Sequence, residues 1–348
     1  MVKKISIEVL FEEGEGRVLL DARSPAEFES GHIPDALNLA LFSNEERAIV
    51  GTAYKKESPE VAMLKGLDFV GLKMRFYVEE AERLAPKKKI VVHCWRGGKR
   101  SGSLAWLLDL AGFDVQVLEG GYKAYRNYIL SKFGMDFPKM IVLGGYTGSA
   151  KTEILYALQA KGEQFLDLEG IANHKGSAFG AIGQKPQPTT EQFENNLFEQ
   201  LSEIDVSKDF WIEDESRSIG RVYIPQQFWE RMRERPVLFL KRPIEKRIEH
   251  LVKGYVGYAD GGLSAAFEKI KKRLGGQHLN AALEALQQND YKTAAGIALK
   301  YYDKAYANSL ERRAETCEII PFETEEGSIV EIAKLLLIKI KNDKINRI

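Results

Sequence analysis

Short apolar segments bounded by glycine, proline or charged residues alternate with longer segments of helical period along the chain. In the first part, apolar runs at 90–93 and 115–118 predict buried strands. A helical pattern begins at Ser101, and its apolar positions recur every three or four residues. Alternating strands and helices predict an α/β fold for this part of the chain.

Glycine and proline interrupt this pattern at 133–138, just before a new apolar strand. We therefore place a domain boundary there and predict one domain over 1–135 and a second over 136–348. Segments long enough for helices separate the strands of the second domain, so a mostly parallel sheet is expected. The predicted strands of this second domain are 140–143, 165–168, 210–212, 237–240 and 318–320.

A long helical region follows in the second domain, from 264 to 306. Two pairs of residues, Gly275-Gly276 and Asn289-Asp290, predict breaks within it. A final apolar-rich helix is predicted from 328 to about 341.

Composition suits two ordinary globular domains, because 44% of the 348 residues are hydrophobic. Lysine plus arginine and aspartate plus glutamate each total 50, so the net charge does not by itself point to a nucleic-acid partner. The charges are nevertheless segregated, since 191–216 is acidic while basic residues outnumber acidic ones over 231–273. A local basic surface is therefore expected.

Two widely spaced cysteines, Cys94 and Cys317, do not suggest a disulfide framework, and a reducing compartment fits them best. The first residues lack the apolar core of a signal peptide, and no run approaches the roughly 20 apolar residues that cross a bilayer. We expect a cytoplasmic protein without a membrane partner.

Cys94 is the strongest candidate nucleophile. It lies between an apolar strand and a helix, in the segment His-Cys-Trp-Arg-Gly-Gly-Lys-Arg-Ser. Loop amides, a helix N-terminus and the guanidinium of Arg100 all favour a thiolate over a thiol. We predict Cys94 and Arg100 as catalytic, with an anion-binding loop formed by Trp95, Arg96, Gly97, Gly98 and Lys99.

Five residues separate Cys94 from Arg100, which predicts a ring of donors wide enough for a tetrahedral, phosphate-like oxyanion. This spacing resembles that of cysteine phosphatases, so a phosphatase with a regulatory nucleotide-binding domain is the alternative function. The loop contains no carboxylate to protonate a leaving alcohol, whereas a selenophosphate or thiophosphate needs no such acid.

A polar insertion at 41–55 is longer than a strand connection requires. Insertions of this size are often functional. The other interpretation is a solvated helix capped by Ser43, with Glu46 at the third helical position. The sequence does not decide between the two.

The segment Gly-Tyr-Thr-Gly-Ser-Ala-Lys-Thr follows an apolar strand and precedes a helix, as a phosphate-binding loop requires. Lys151 is expected to contact phosphate, and Thr152 a Mg²⁺ ion. Ala150 stands where glycine normally precedes the lysine, which puts ordinary nucleotide turnover in doubt. The predicted diphosphate-binding residues are Gly145, Thr147, Gly148, Ser149, Ala150, Lys151 and Thr152.

Carboxylates at the end of a later strand are candidate metal or substrate ligands. Glu213 and Asp214 follow Phe-Trp-Ile, in the manner of a second nucleotide-binding motif. His174 lies in a polar, glycine-bearing loop after the domain's second strand, where α/β sheets place ligands. Each of these side chains also has a structural interpretation, as a solvated or packed polar residue.

The first part of the chain resembles the rhodanese-like domains. The residues that carry this resemblance are the segment from Asp21 to Asn38 and the strand, cysteine loop and helix around Cys94. With the phosphate loop, the segments His-Lys-Gly-Ser-Ala-Phe-Gly and Glu-Asp-Glu-Ser-Arg, and Gly-Gly-Gln-His at 275–278, nearly the whole chain resembles the tRNA 2-selenouridine synthases. The expected fold is a rhodanese-like domain followed by a P-loop NTPase-like parallel-sheet domain with additional C-terminal helices.

This resemblance implies the substrates and the reaction. The enzyme is expected to attach a geranyl group from geranyl diphosphate to the wobble 2-thiouridine of tRNA, then to replace geranylthiol with selenium from selenophosphate. Cys94 would carry the selenium, and the phosphate loop would hold the diphosphate. No tightly bound cofactor is expected, although Mg²⁺ fits the phosphate loop.

A tRNA substrate requires cationic contacts to phosphate groups. Four tyrosines, Tyr255, Tyr258, Tyr301 and Tyr302, are candidates for stacking on an anticodon base, although packing is the commoner role of such residues. For the basic residues over 231–273, a solvated helix face is an equal alternative to tRNA binding. The tRNA-binding candidates are Arg231, Arg233, Lys241, Arg242, Arg247, Lys271, Lys272 and Arg273.

Three function classes remain at the level of sequence: a selenium and prenyl transferase acting on tRNA, a cysteine phosphatase, and a non-catalytic nucleotide-dependent binding protein. The first explains the cysteine loop and the phosphate loop together.

Overall fold

A computed structural model describes residues 2–13, 16–255, 257, 262–324 and 327–343. The chain divides into two compact units, Met1–Lys132 and Phe133–Ile348. The division falls three residues before the boundary predicted from the glycine and proline at 133–138. Tyr258, a stacking candidate, lies outside the described residues.

The first unit is a five-stranded parallel sheet flanked by helices, with strand order β1-β5-β4-β2-β3. Its elements are β1 (Lys3–Ile5), α1 (Ile7–Glu13), β2 (Val18–Asp21), α2 (Pro25–Ser30), β3 (Leu37–Asn38), α3 (Asn44–Lys56), α4 (Pro59–Gly71), α5 (Met74–Leu84), β4 (Lys89–His93), α6 (Lys99–Leu110), β5 (Asp114–Leu118) and α7 (Gly121–Lys132).

The core of this unit forms where α6 covers the sheet. Leu104, Leu107 and Leu108, spaced as the sequence pattern predicts for one helix face, are buried in a single cluster with residues of β4 and β5. Below the cysteine loop, the buried Arg23 and Asp21 side chains pair at 2.6 Å. These packed elements fix the position of the segment between β4 and α6.

The insertion after β3 begins with the capped helix that the sequence allowed. Ser43 is the N-cap of α3 and accepts a hydrogen bond from the Glu46 backbone N–H at 3.2 Å. The Glu46 carboxylate accepts one in return from the Ser43 backbone N–H at 2.8 Å. Two more helices, α4 and α5, follow before the chain enters β4.

The second unit contains a parallel sheet with order β12-β11-β6-β8-β7 and a two-stranded antiparallel hairpin. Its elements are β6 (Met140–Gly145), α8 (Lys151–Gln159), β7 (Gln164–Leu166), α9 (Leu168–Ala172), α10 (Thr190–Glu203), β8 (Phe210–Glu213), β9 (Ser218–Ile219), β10 (Val222–Tyr223), α11 (Gln226–Glu234), β11 (Val237–Lys241), α12 (Ile244–Tyr255), α13 (Gly262–Leu274), α14 (Gly276–Gln287), α15 (Tyr291–Ala314), β12 (Ile319–Glu323) and α16 (Ile329–Asp343).

All five predicted strands of this unit are present and pair in parallel, with end points that differ by up to three residues. The central strand, β6, is buried along its whole length and leads directly into the phosphate loop. The carboxyl ends of β6 and β8 therefore meet at one edge of the sheet, which is where ligands bind in folds of this class.

The helical region folds as α13, α14 and α15, and both predicted breaks are confirmed. Gly275 is the N-cap of α14, and the side chain of Asp290 caps α15 by accepting a hydrogen bond from the Thr293 N–H. These helices enclose a separate apolar cluster that includes Phe179 and Phe267. In the part of the chain that the structure describes, no helix is both long and apolar enough to span a membrane.

Candidate functional site

Cys94 lies immediately after β4, and its side chain is almost completely buried, with 3% exposed. The Ser101 hydroxyl is 3.2 Å from the Cys94 Sγ atom. Backbone N–H groups of Ser101 and Arg96 also donate hydrogen bonds to this sulfur. The strand, the loop and the first turn of α6 thus surround the sulfur with donors.

These donors stabilise the thiolate. Burial by itself raises the pKa of the Cys94 thiol, but hydrogen bonds from Ser101 and from the Arg96 amide, together with the charge of Arg100, lower it below its ordinary value. The predicted nucleophile is therefore in an environment that activates it. Ser101 was missed by the sequence analysis, although it directly follows Arg100 in the sequence.

The loop backbone is held from below by the start of α7. Tyr122 N–H donates to the Cys94 carbonyl at 2.9 Å, and Lys123 N–H donates to the Trp95 carbonyl at 3.0 Å. Gly97 has a φ of 64°, and a Cβ at this position would lie 2.6 Å from the Leu118 carbonyl oxygen. Only glycine fits here, so the loop conformation depends on Gly97.

Arg100 points to a carboxylate. Its Nη1 and Nη2 atoms donate to Glu27 at 2.6 and 3.3 Å, and Arg47 Nε lies 3.5 Å from the same side chain. Although burial raises the pKa of Glu27, Arg100, the Ser24 N–H and Arg47 lower it below its ordinary value. Glu27 is thus ionised and unsuited to protonate a leaving alcohol, which weakens the phosphatase alternative.

The phosphate loop joins β6 to α8 as the sequence predicts. Lys151 is the first residue of α8, and its Nζ donates to the Gly145 carbonyl at 3.3 Å. Burial alone would lower the pKa of Lys151, but Tyr306 and the carboxylates of Glu215 and Glu169 raise it. The lysine is therefore cationic at the point where the helix N-terminus also favours an anion.

Ala150, the N-cap of α8, has φ 61° and ψ 37°, in the left-handed region. An L-residue with a Cβ is strained there by about 1 kcal/mol, whereas glycine is not.

We expect Ala150→Gly to raise the free energy of unfolding of the second unit by about 0.5–1 kcal/mol. Thermal and urea unfolding of the full chain measure this, with the exposed Ala305→Gly on α15 as a helix control that should be destabilising. A lower stability for Ala150→Gly would contradict the strain.

Three glutamates lie beside the phosphate loop. Glu213 Oε2 accepts from the Leu168 N–H at 3.0 Å, and Glu169 Oε2 accepts from the Thr152 hydroxyl at 2.9 Å. Burial, followed by repulsion from Glu169, raises the pKa of Glu215 to about 8, and burial also raises the pKa values of Glu213 and Glu169. Crowding of the three carboxyl groups therefore favours a bound cation or a retained proton beside the anion-binding loop.

Mg²⁺ is compatible with part of this donor set. The Thr152 hydroxyl lies 3.5 Å from Glu213 Oε1, and hydroxyl and carboxylate oxygens are the ligands that Mg²⁺ prefers. Among the described residues, no three histidine, cysteine, aspartate or glutamate side chains are arranged to hold a metal ion. Any Mg²⁺ would thus need oxygens from a ligand and from water, and it would neutralise negative charge on that ligand.

Two sequence-predicted ligands do not reach this site. Asp214 pairs instead with Arg313 and lies 3.9 Å from Arg233. His174 is buried but does not line the cavity at the phosphate loop. Burial lowers the pKa of His174, so its ring is neutral. Glu169 and Glu215 occupy the place that the sequence analysis gave to Asp214 and His174.

The phosphate loop opens into a polar cavity of about 290 Å³. A second, narrower and almost wholly apolar cavity of about 60 Å³ adjoins it. Four residues line both cavities, namely Thr147, Ser177, Leu251 and Tyr255. The apolar cavity is otherwise bounded mainly by Phe179, Val252, Leu263, Phe267, Leu286, Tyr291, Ala294, Ala295, Ala298, Leu299 and Tyr302.

Arg247 has a different place from the one predicted for it. It is 3% exposed, its Nε donates to the Thr147 carbonyl at 2.9 Å, and its Nη2 pairs with Asp303 at 2.5 Å. A guanidinium enclosed in this way does not offer a surface contact to tRNA. Arg247 instead connects the phosphate loop to α12 and α15.

Several other basic candidates are at the surface but have acidic neighbours. Arg231 pairs with Glu234, Lys241 with Glu323, and Lys271 with Glu268. Arg233 lies over Trp229, Arg242 is partly buried, and the Arg273 guanidinium is 3.5 Å from the Tyr301 hydroxyl. Lys271, Lys272 and Arg273 form an exposed basic last turn of α13.

Comparison with known protein families gives one match for each of the two units. Residues 138–335 match the tRNA 2-selenouridine synthase AAA domain, and residues 8–128 match the rhodanese-like domain. The chain belongs to the tRNA 2-selenouridine synthase family. The chain is therefore a tRNA-modifying transferase of this family, and the phosphatase and non-catalytic alternatives are not supported.

Curated relatives extend over nearly the same length. The chain is 35% identical to tRNA 2-selenouridine synthase of Sulfurovum sp. (strain NBC37-1) over 331 residues, which cover 85% of this chain and 89% of the relative. It is 36% identical to tRNA 2-selenouridine synthase of Shewanella piezotolerans (strain WP3 / JCM 13877), over 85% of this chain and 90% of the relative. A crystal structure of the N-terminal domain of a Clostridium difficile 630 protein, described as ATP/GTP binding, is 42% identical, covers 37% of this chain and 99% of that structure, and has a TM-score of 0.35.

Proposed function

We propose that this tRNA 2-selenouridine synthase acts on the wobble 2-thiouridine of tRNA in two steps. The first attaches a geranyl group from geranyl diphosphate to sulfur, and the second replaces geranylthiol with selenium from selenophosphate. The observation that carries the proposal is the pair of adjoining cavities at the phosphate loop, one polar and one apolar. A prenyl diphosphate has one group for each cavity, the diphosphate for the polar one and the hydrocarbon chain for the apolar one.

The two cavities correspond in polarity to the two ends of geranyl diphosphate, and the apolar cavity of about 60 Å³ must widen to hold the ten-carbon chain. The diphosphate would lie on the loop amides beside Lys151, and the hydrocarbon chain would extend past Leu251 and Tyr255 into the apolar cavity. Phe179 and Phe267, whose ring centroids are 5.0 Å apart, provide part of its apolar wall. Burial of the chain there would also keep carbon 1 of the geranyl group near the loop.

The geranyl step transfers carbon from oxygen to sulfur. Sulfur of 2-thiouridine attacks carbon 1, the carbon–oxygen bond breaks, and diphosphate leaves with the electron pair while the uracil ring loses its nitrogen-bound proton. Lys151 and the α8 N-terminus stabilise the negative charge that develops on the diphosphate. After this step, the sulfur on carbon 2 of the uracil can leave as geranylthiolate.

The selenium step uses the first unit. The Cys94 thiolate attacks selenium, an S–Se bond forms, and the Se–P bond breaks with its electron pair left on phosphorus, so that phosphite is the second product. The terminal selenium attacks carbon 2 of the uracil and displaces geranylthiolate. Two thiols then reduce the S–Se bond and are themselves oxidised to a disulfide, which releases 2-selenouridine and regenerates Cys94.

The proposed function also includes a tRNA-binding surface, a metal ion and a cellular location. The exposed last turn of α13, with Lys271, Lys272 and Arg273, would contact tRNA phosphates. No tightly bound cofactor is proposed, and Mg²⁺ would accompany the diphosphate. The proposed location is the cytoplasm, where the substrate tRNA is found.

Filling the apolar cavity tests the placement of the geranyl chain. Ala298 lines this cavity and is 6% exposed. We expect Ala298→Leu to raise the KM for geranyl diphosphate about tenfold, with little change for the five-carbon dimethylallyl diphosphate, because added methyl groups would occupy the chain's space. Steady-state geranylation of 2-thiouridine tRNA measures both values.

Ala285→Leu is the matched control, because Ala285 is also 6% exposed and belongs to the same apolar cluster but does not line the cavity. It carries the same overpacking cost and should leave the ratio of the two KM values unchanged. An equal effect of both variants on both substrates would contradict the placement.

A further inference from the structure

The inserted helix α3 places a second guanidinium next to the arginine of the cysteine loop. Glu27 Oε2 accepts a hydrogen bond from Arg100 Nη1 at 2.6 Å, and Arg47 Nε lies 3.5 Å from this same oxygen. Arg47 is 43% exposed, so its remaining N–H donors are accessible to a solute. One carboxylate oxygen therefore joins the insertion to the cysteine loop.

Gly51 allows Arg47 to adopt this position. A Cβ at Gly51 would lie 2.4 Å from Arg47 Nη1, so the guanidinium lies over the space that the glycine leaves. Gly51 is in the interior of α3, where glycine is less favourable than every residue type except proline. The helix thus contains a destabilising residue at the point where the arginine side chain passes.

Stability of the fold does not account for this arrangement. Glu27 already accepts two hydrogen bonds from Arg100 and one from the Ser24 N–H. A further ion pair at a side chain as exposed as Arg47 adds little to stability. A role in binding an anion explains both the exposed arginine and the glycine.

We propose that Arg47 is a further binding residue of the cysteine loop, which together with Arg100 selects donors carrying a doubly charged phosphate group. Glu27 neutralises one of the two guanidinium charges, so the three side chains carry one net positive charge beside the positive Arg96 and Lys99 of the loop. Planar guanidinium groups bind phosphate oxygens in pairs. The inference rests on the proposed role of Cys94 toward selenophosphate and assigns the insertion at 41–55 to the same site.

Protection of Cys94 from alkylation tests this role. Inorganic phosphate is titrated against the rate at which iodoacetamide alkylates Cys94 in the full chain, as followed by mass spectrometry of the cysteine peptide. We expect Arg47→Gln to raise the phosphate concentration for half-protection about tenfold. The alkylation rate without phosphate should change less than twofold, because Ser101, the Arg96 amide and Arg100 are the groups that activate the sulfur.

Gly51→Ala gives the same test without removal of a charge. The added methyl group should displace the Arg47 guanidinium and raise the half-protection concentration by a similar factor, while the helix becomes more stable. Arg75→Gln is the matched control, since Arg75 is an exposed arginine of α5 that pairs with Glu79. Dimethyl phosphate, with one charge, should protect weakly and equally in all variants.

The outcomes separate this proposal from the one on which it rests. Unchanged protection in Arg47→Gln or in Gly51→Ala overturns the role of Arg47, and so does an equal loss in Arg75→Gln. Absence of protection by phosphate in the unmodified chain overturns the proposed phosphate-donor site itself, and the role of Arg47 with it.

Discussion

Replacement of Cys94 by serine is expected to abolish selenation, with at least a roughly 10³-fold loss of rate, while S-geranylation proceeds. The structure places the Cys94 sulfur among three hydrogen-bond donors that stabilise the thiolate, and a serine hydroxyl at this position remains protonated near neutral pH. Geranylated tRNA should therefore accumulate. Mass spectrometry of nucleosides from 2-thiouridine tRNA, incubated with geranyl diphosphate and selenophosphate, measures both products.

Cys317→Ser is the control for this experiment. Cys317 is the other cysteine of the chain and belongs to the second unit, so its replacement should leave both products unchanged. Selenation by Cys94→Ser at the normal rate would refute the assigned role. Phosphorus NMR of the unmodified enzyme then identifies the atom attacked: phosphite is expected, whereas phosphate with free selenide would indicate attack on phosphorus.

Replacement of Lys151 by methionine is expected to reduce geranylation by about 10²–10³-fold. The variant keeps an unbranched side chain in the buried site but removes the cation that offsets Glu169 and Glu215 and that, in the proposed reaction, faces the departing diphosphate. Selenation of tRNA that already carries the geranyl group should proceed normally, because it depends on Cys94. Separate assays of the two half-reactions, with purified geranylated tRNA for the second, measure these effects.

Lys161→Met is the matched control, since this exposed lysine follows the same helix and has no place in the cavity. It should leave both half-reactions unchanged. Normal geranylation by Lys151→Met would mean that the diphosphate binds elsewhere. Loss of both half-reactions together would assign Lys151 to stability, which circular dichroism of the variant checks.

Much of the fold follows from local sequence patterns. The parallel strands of the second unit were predicted because continuous apolar runs between glycine, proline and charged residues are typical of buried strands. The cap at Ser43 and the break at Asn289-Asp290 were also recognisable, because caps and breaks depend on neighbouring residues. The hairpin of β9 and β10 was missed, since strands of two residues have no measurable period.

The site was less predictable, because its contacts join distant parts of the chain. Glu169 precedes Glu215 by more than forty residues, and only the sheet edge brings them together. A turn explains the error over Asp214: β8 ends at Glu213, and the Glu215 N–H donates to the Glu213 carbonyl at 3.0 Å. Glu215 therefore lines the cavity at the phosphate loop, while Asp214 meets Arg313. Arg247 was misassigned because a count of charges carries no information on burial.

Arg247 also has a mechanical consequence. Its guanidinium is bound to the Thr147 carbonyl on one side and to Asp303 of α15 on the other, and α12 and α15 both form walls of the apolar cavity. Displacement of either helix by an entering hydrocarbon chain would pull directly on the phosphate loop. Arg247 would thus couple occupancy of the apolar cavity to the position of the phosphate loop.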